Sequence, residues 1–264
     1  MRITVLVENT AKDEPFICRH GLSLLIESGE LTFLFDAGPD NALLENAASL
    51  GIDLSRVSFA VLSHGHYDHG GGLPHLVRMN PRLPVYLRRS AFDDQRNADG
   101  KDIGLDQALK MNAHLVFTEG VCEIAPNVRA FGDVTERDCM SPINGLLFSR
   151  GEPDQFTHEQ HLLVEEAGRL FLTGGCAHSG IVNILEKARA IAGRYPDAVL
   201  SGMHLSVHGK TSGDDYLNGL ARRLQRYPSV FYTYHCTGLE PYEKLKAVLG
   251  DKITYLSGGS VVTI

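Results

Sequence analysis

The chain has 264 residues, of which 43% are hydrophobic and 22% are charged, and its formal net charge is −7. This composition excludes disordered and fibrous proteins, and the negative charge opposes binding to the phosphate backbone of nucleic acids. The apolar stretch of the opening run MRITVLVE is too short for a signal peptide and is interrupted by a charged residue. No later apolar run has membrane-spanning length. We therefore expect a cytoplasmic protein of one domain over residues 1–264, with no nucleic-acid or membrane partner.

Short apolar runs alternate with amphipathic stretches along the chain. In chain order, strands are predicted at residues 3–7, 22–26, 31–35, 58–62, 115–117, 145–148, 161–164, 170–172, near 199, and at 231–234, 253–256 and 261–264. Helices are predicted at residues 41–50, 181–192, 215–227 and 242–249. Strands followed by helices occur once in each half of the chain, which favours two packed sheets with helices outside and leaves other layered α/β folds open.

The segment at about 88–112 is polar and turn-rich and has no clear core pattern, which predicts a lid or an insertion. It contains Arg88, Arg89 and Arg96. Guanidinium groups match the geometry of a phosphate, so these arginines either grip a phosphorylated substrate or belong to a solvated face.

Residue types that ligate metals are frequent in this chain. It has twelve histidines, and its five cysteines are odd in number and include no CxxC pair, so we expect reduced thiols. The densest group follows the predicted strand 58–62, where the run HGHYDH at 64–69 places four candidate ligands in six positions. Histidines separated by one residue project to the same side of an extended segment, and imidazole with carboxylate is the ligand set of zinc or another borderline divalent metal. A chance grouping on a polar loop is the alternative, and this density of ligands disfavours it.

The run HGHYDH resembles the HxHxDH motif of the metallo-β-lactamase superfamily. The segment LFDAG at 34–38 resembles the first motif of that superfamily, whose aspartate, here Asp36, supports the metal loop without binding metal. Segments at 21–23, 173–183, 202–205 and 235–238 are similar to the subfamily labelled 7,8-dihydropterin-6-methyl-4-(β-D-ribofuranosyl)aminobenzene-5'-phosphate synthase. The resemblance covers nearly the whole chain. It implies a four-layer αββα sandwich of the α/β class, with the metal site at one edge of the two sheets.

The resemblance also implies two metal positions. The implied ligands are His64, His66 and His178 for the first ion and Asp68, His69 and His235 for the second. We expect Zn²⁺, as one or two ions per chain, with Mn²⁺ or iron as alternatives. A metal-bound hydroxide would be the nucleophile, and Asp68 would orient it.

The chain departs from the superfamily pattern after the predicted strand 170–172. Most hydrolases of the superfamily have an aspartate there that bridges both ions, whereas this chain has the run GGC at 174–176. Cys176 is either a soft substitute ligand or a small buried residue that packs the loop.

Residues outside the metal motif are candidates for substrate contact. Ser179 precedes the predicted helix 181–192, and we expect it to cap a helix whose amino end attracts an anionic group. His204 is a candidate substrate contact and a candidate proton donor to the leaving group, or else a histidine bonded to backbone carbonyls. His208 and Lys210 lie in the same loop, where Lys210 either binds an anion or is solvated. The remaining histidines have no ligand-like spacing and are interpreted as structural or surface residues: His20, His75, His114, His158 and His161.

These features favour a metal-dependent hydrolase that acts on a small anionic, phosphorylated substrate such as a phosphoester. The subfamily label favours instead a pterin or phosphoribosyl synthase, which would be a transferase in methanopterin-like cofactor synthesis. Two alternatives of another class are a metal-binding sensor without turnover and an iron redox protein. No oligomeric state is specified by these motifs.

Overall fold

The computed structural model describes residues 1–12, 16–207 and 209–264. Its strands, numbered in chain order, are β1 Arg2–Val7, β2 Ser23–Ser28, β3 Leu31–Phe35, β4 Phe59–Val61, β5 Pro84–Arg88, β6 Gln95–Asn97, β7 His114–Thr118, β8 Val121–Ala125, β9 Val128–Phe131, β10 Leu147–Ser149, β11 Glu152–Pro153, β12 His161–Glu166, β13 Arg169–Thr173, β14 Ala198–Leu200, β15 Ser206–Val207, β16 Lys210–Thr211, β17 Val230–Thr233, β18 Ile253–Tyr255 and β19 Val261–Thr263. Its α-helices are α1 Ala42–Ser49, α2 Tyr67–Gly70, α3 Leu73–Met79, α4 Leu109–Asn112, α5 Ile181–Ala192, α6 Asp214–Leu224 and α7 Leu239–Leu249. Short 3₁₀ turns lie at Leu54–Arg56, Arg89–Phe92, Pro142–Leu146, His235–Thr237 and Gly250–Lys252.

Within the described residues, the strands form two seven-stranded sheets. The first sheet has the order β19-β1-β2-β3-β4-β5-β7 and the second has the order β18-β17-β14-β13-β12-β9-β8. Each sheet has antiparallel strands on one side and parallel strands on the other, the parallel ones running from β3 to β7 and from β13 to β18. The predicted arrangement of two packed sheets is confirmed, although the last strand, β19, joins the first sheet and β8 and β9 join the second.

Three layers of apolar side chains hold the sheets and helices together. Side chains of a strand alternate between its faces, so Phe33 and Phe35 of β3 point toward the second sheet while Leu34 points toward α1 and α3. Phe33 stacks on Phe59 with ring centroids 4.9 Å apart, inside the core between the sheets. The opposite face of the second sheet packs against α5, α6 and α7. The layers therefore follow the order helices, sheet, sheet, helices, and the expected αββα sandwich is confirmed.

Some elements differ from the sequence-based expectations. Residues 145–148 are predicted as a strand, but the 3₁₀ turn Pro142–Leu146 occupies the first half of this range. The second half begins β10, which pairs with β6 and β11 in a small separate sheet. The strands β5, β8 and β9 and helix α3 were not expected. Strands β5 and β8 have few fully buried positions, so the apolar pattern of their sequences is weak. None of the described helices is both long and apolar enough to cross a membrane.

The fold brings the loops after five strands to the same edge of the sandwich. The loops after β3 and β4 are joined by the hydrogen bond from Ser63 N to Asp36 Oδ1. The loops after β13, β14 and β17 are joined by bonds such as Gly202 N to Gly175 O and Leu205 N to Cys236 O. Carboxyl ends of parallel strands are where open α/β sheets place their ligand sites. These loops carry the candidate ligands.

Replacing Phe33 with alanine tests the core between the sheets. We expect the free energy of unfolding to fall by about 3–5 kcal/mol, because a fully buried aromatic side chain is lost from a packed interior. Urea denaturation measures this change, and Leu50→Ala is the control, since Leu50 is 40% exposed and should change stability by no more than about 0.5 kcal/mol. Equal effects of the two substitutions would contradict the packing of the sheets.

Candidate metal centre

The loops at this edge surround a pocket of about 160 Å³. Polar side chains in its lining include His20, His66, Asp68, Asp99, Cys176, His178, His204, Lys210, His235 and Cys236. Apolar side chains in its lining include Ile103, Ile143, Leu146, Leu147 and Val207. Part of the segment predicted as a lid, at 97–103, borders this pocket, and its role as a lid stays a prediction.

The run 64–69 leaves β4 in an extended conformation and turns into α2 at His66, whose φ and ψ are −95° and 146°. Gly65 is required because a Cβ atom there would lie 2.3 Å from the carbonyl oxygen of Ala91. The rings of His64 and His66 lie with their centroids 4.5 Å apart. The two histidines therefore face the same region, as their spacing indicated.

The buried carboxylate of Asp36 contacts this run directly. Its Oδ1 accepts a hydrogen bond from Ser63 N at 2.7 Å, and its Oδ2 accepts bonds from Ser63 Oγ and His69 Nδ1, each at 2.7 Å. Asp36 has a φ of 62°, a conformation that is costly for a residue other than glycine. The bond to His69 Nδ1 orients the ring so that its Nε2 atom faces the other candidate ligands.

His64 and His178 form the first group of candidate ligands. The Nδ1–H of His64 donates to Ser63 Oγ at 2.8 Å, and the Nδ1–H of His178 donates to Asn144 Oδ1 at 3.1 Å. Their Nε2 atoms face each other at 3.4 Å. Burial, reinforced by neighbouring imidazoles, lowers the pKa of both rings well below 6.5, so both are neutral at pH 7. The lone pairs of the two Nε2 atoms are therefore directed into the same space, and no proton lies between them.

His66 adds a third imidazole to this group. Its ring centroid lies 5.1 Å from that of His178, and burial followed by the nearby His158 lowers the pKa of His66 to about 3. Its Nε2 is buried without a hydrogen-bond partner in the part of the chain that the structure describes. An unpaired buried nitrogen is costly in a folded protein, and a bound cation would remove that cost.

Asp68, His69 and His235 form the second group. His235 Nε2 lies 3.2 Å from His69 Nε2 and 3.3 Å from Asp68 Oδ2, and its Nδ1–H donates to Asn9 Oδ1 at 2.8 Å. Burial alone would lower the pKa of His69, but the carboxylates of Asp36 and Asp68 outweigh burial and raise it to about 9. Without a metal, a proton on His69 therefore supplies positive charge to this group.

Cys176 lies between the two groups. Its Sγ is 3.2 Å from His69 Nε2, and it lies within 4.8 Å of the ligand atoms of His64 and His178 as well as those of His69 and His235. Burial raises the pKa of the Cys176 thiol. At Gly175 a Cβ atom would lie 2.2 Å from Ser63 Oγ, so this position excludes an aspartate side chain. The thiol thus stands where the superfamily pattern has a bridging carboxylate.

The separations fit a metal centre. Two ligands at about 2.0–2.1 Å from a tetrahedral zinc ion lie about 3.3 Å apart. The facing nitrogens of the two groups are 3.4 and 3.2 Å apart. The Nδ1 atoms of four of these histidines are held by oxygen acceptors, the arrangement that orients the histidine ligands of metals: His64, His69, His178 and His235.

Of the residues predicted to contact the substrate, His204 and Lys210 border the pocket and Ser179 does not. The His204 ring lies 4.2 Å from the His178 ring and borders the pocket, as does the exposed Lys210. Ser179 is absent from the described pocket lining, and its N–H donates to Glu159 Oε2 at 2.8 Å. The expectation that Ser179 caps α5 is wrong, because the N-cap residue is Gly180 and no side chain caps this helix.

The arginines of the polar segment 88–112 do not line the pocket, although residues 97–103 of that segment do. Arg88 pairs with Asp133, and Arg96 pairs with Asp94. None of the three arginines of this segment is among the residues that line the described pocket. His208 lies outside the described residues.

Several functional contacts were missed in the sequence. His158 accepts a hydrogen bond from Gly65 N at 2.9 Å and donates to Asp154 Oδ2 at 2.9 Å. Glu159 accepts bonds from the N–H groups of His178 and Ser179 at 2.7 and 2.8 Å. The run DQFTHEQH at 154–161 has an Asp and a His four residues apart followed by a Glu, which is a signal for such a cluster.

Comparison with known proteins agrees with this geometry. The family described as Metallo-beta-lactamase superfamily matches residues 17–187. The chain belongs to the metallo-beta-lactamase superfamily. Residues 188–264, which include His204 and His235, lie beyond this match.

Relatives of similar length support the family assignment. A solved structure described as a metal-dependent hydrolase of the beta-lactamase superfamily has a TM-score of 0.87 and 29% identity, with 100% of this chain and 99% of that chain covered. An uncharacterized protein of Methanocaldococcus jannaschii is 28% identical over 99% of this chain and 100% of its own length. The 7,8-dihydropterin-6-methyl-4-(beta-D-ribofuranosyl)-aminobenzene-5'-phosphate synthase of the same organism is 24% identical over 99% of this chain and 96% of its own length. This chain is thus similar over its full length both to a hydrolase and to a synthase.

The protonation of His69 can be measured in the metal-free protein. We expect its imidazole to titrate near pH 9, so that the stability gained from its positive charge is complete below pH 6.5 and is lost as the pH rises through about 9. Asp36→Asn removes one of the two stabilising charges and should lower this pKa. NMR titration of the imidazole resonances measures both values, with the surface substitution Asp53→Asn as control. A wild-type pKa below 7 would contradict the assigned contacts.

Proposed function

We propose that the protein is a metal-dependent hydrolase that acts on a small anionic substrate, with phosphoesters as the favoured class. The observation that carries this proposal is the pair of bare imidazole nitrogens of His64 and His178, 3.4 Å apart at the pocket. Neutral imidazoles in this orientation repel each other unless a cation lies between them.

The donor atoms support two metal positions. His64, His66 and His178 would hold the first ion, and Asp68, His69 and His235 would hold the second, with Cys176 between them. Imidazole, thiolate and carboxylate together favour zinc, with manganese or iron as alternatives. Bound divalent ions would supply Lewis-acid chemistry, lowering the pKa of water and polarising the bond to be cleaved.

The surrounding residues would support this chemistry. Asp36 and Asn144 hold ring protons on the Nδ1 atoms of His69 and His178, which keeps the Nε2 atoms directed at the site. His204 borders the pocket beside His178 and would donate a proton to the leaving group. Lys210 lies at an exposed part of the lining, where its ammonium group would attract an anionic substrate.

A transferase of the synthase type is the second candidate. The full-length similarity to the synthase of Methanocaldococcus jannaschii favours it. A shared fold does not determine which reaction a site performs, and the same Lewis-acid chemistry serves both. The two candidates differ in whether water or a second organic substrate accepts the transferred group.

An ester panel tests the proposed reaction. We expect protein reconstituted with zinc to hydrolyse at least one phosphomonoester or phosphodiester and to lose this activity in the presence of a chelator. His204→Gln should lower kcat by about 10²–10⁴-fold with unchanged metal content, because a proton donor is lost. Lys210→Ala should mainly raise KM. Lys12→Ala, at an exposed lysine absent from the described pocket lining, is the control and should leave kcat and KM unchanged.

Two results would contradict the hydrolase proposal. One is the absence of hydrolysis of every ester by protein with a full metal complement. The other is turnover that requires a pterin or phosphoribosyl co-substrate, which would favour the transferase.

A further inference from the structure

We propose that His20 is an additional ligand of the second metal position, the one formed by Asp68, His69 and His235. This proposal rests on the proposed metal-dependent function. His20 Nε2 lies 3.4 Å from Asp68 Oδ2, and ligand atoms of His20, Asp68 and His235 all lie within 4.8 Å of one another. The distances between ligand atoms of Asp68, His69 and His235 range from 3.2 to 3.8 Å, and the 3.4 Å distance from His20 to Asp68 lies within this range.

The backbone around His20 is fixed against the metal loop. A Cβ atom on the next residue, Gly21, would lie 2.3 Å from Asp68 O, so glycine is required for this close approach. Leu22 N donates a hydrogen bond to the same carbonyl oxygen at 3.2 Å. The sequence His-Gly-Leu thus places an imidazole beside the Asp68 carboxylate through two backbone contacts with Asp68 itself.

Asn9 joins the His20 loop to His235. Its Oδ1 accepts hydrogen bonds from Gly21 N at 3.2 Å and from His235 Nδ1 at 2.8 Å. The rings of His20 and His235 lie with centroids 4.9 Å apart. One side-chain oxygen therefore holds the His235 ring and the backbone next to His20, which supports the approach of both residues to one metal ion.

The exposure of His20 distinguishes it from the other ligands. Its side chain is 33% exposed and borders the pocket, whereas those of His69 and His235 are buried. It would therefore bind on the solvent side of the second ion. With His20, the second position would have three imidazoles and a carboxylate, a set suited to zinc and also to ions that take five or six ligands.

Cobalt titration of the full-length, metal-free protein tests this inference. Co²⁺ is the probe, its absorption spectrum reports the number and type of ligands, and competition with a chelator gives the affinity of each equivalent. We expect His20→Ala to weaken the second equivalent at least about tenfold, since even partners that only orient a ligand are worth about 10–100-fold. The spectrum of the second ion should also change, while the first equivalent stays as in the wild type.

His75→Ala is the matched control, because His75 is a half-buried histidine of α3 outside the described pocket lining. Thermal unfolding of the metal-free variants checks that both fold as the wild type does. If His20→Ala binds both equivalents with wild-type affinity and spectrum, His20 is not a ligand and the proposal is wrong. If the wild type binds a single ion, the second position and the His20 proposal both fail while a mononuclear hydrolase stands. If it binds none, the proposed function fails as well.

Discussion

The carboxylate of Asp36 accepts hydrogen bonds from Ser63 N, Ser63 Oγ and His69 Nδ1, and the orientation of a candidate ligand in each group depends on them. For His69 the dependence is direct. For His64 it passes through Ser63, whose Oγ donates to Asp36 and therefore accepts from His64 Nδ1. A buried carboxylate is costly unless its oxygens are hydrogen-bonded, and here those bonds also decide which ring nitrogens face the pocket.

Two other buried carboxylates hold the loops that carry His178 and His235, in this case through backbone N–H groups. Glu159 accepts from the N–H groups of His178 and Ser179, and Glu8 accepts from His235 N at 2.6 Å. The site thus gathers buried carboxylates around a few histidines, and the negative charge of Asp36 and Asp68 raises the pKa of His69 to about 9. Divalent ions would balance this charge, so metal binding and stability should be coupled.

The sequence predicts the parts of this structure that depend on local pattern. The run 64–69 is dense in ligand types, and the amphipathic helix 181–192 coincides with α5 because its apolar spacing is regular over three turns. The presence of two packed sheets is predicted by the strands followed by helices in each half of the chain. The superfamily resemblance supplied Asp36, His178 and His235, which no local spacing connects to the run.

Contacts between distant segments could not be predicted in this way. Asn9 meets His235 across 226 residues, and Gly65 meets His158 across 93. His20 has no ligand-like spacing in the sequence, and the spacing of Asp154 and His158 does not reveal that His158 meets the metal loop. Both positions depend on loops that meet only when the sheets pack. Ser179 fails as a cap because the chain reaches α5 through Gly180 at a φ of 87°.

The metal content of the full-length protein tests the central claim most directly. The protein would be purified without added metal and without a metal-binding tag, in parallel with His66→Ala, and analysed by elemental mass spectrometry. The account predicts about two zinc ions per chain in the wild type and a sharp fall in the variant. Predominantly iron would favour redox chemistry instead of hydrolysis. Metal near zero that zinc, manganese or iron cannot restore would contradict the account.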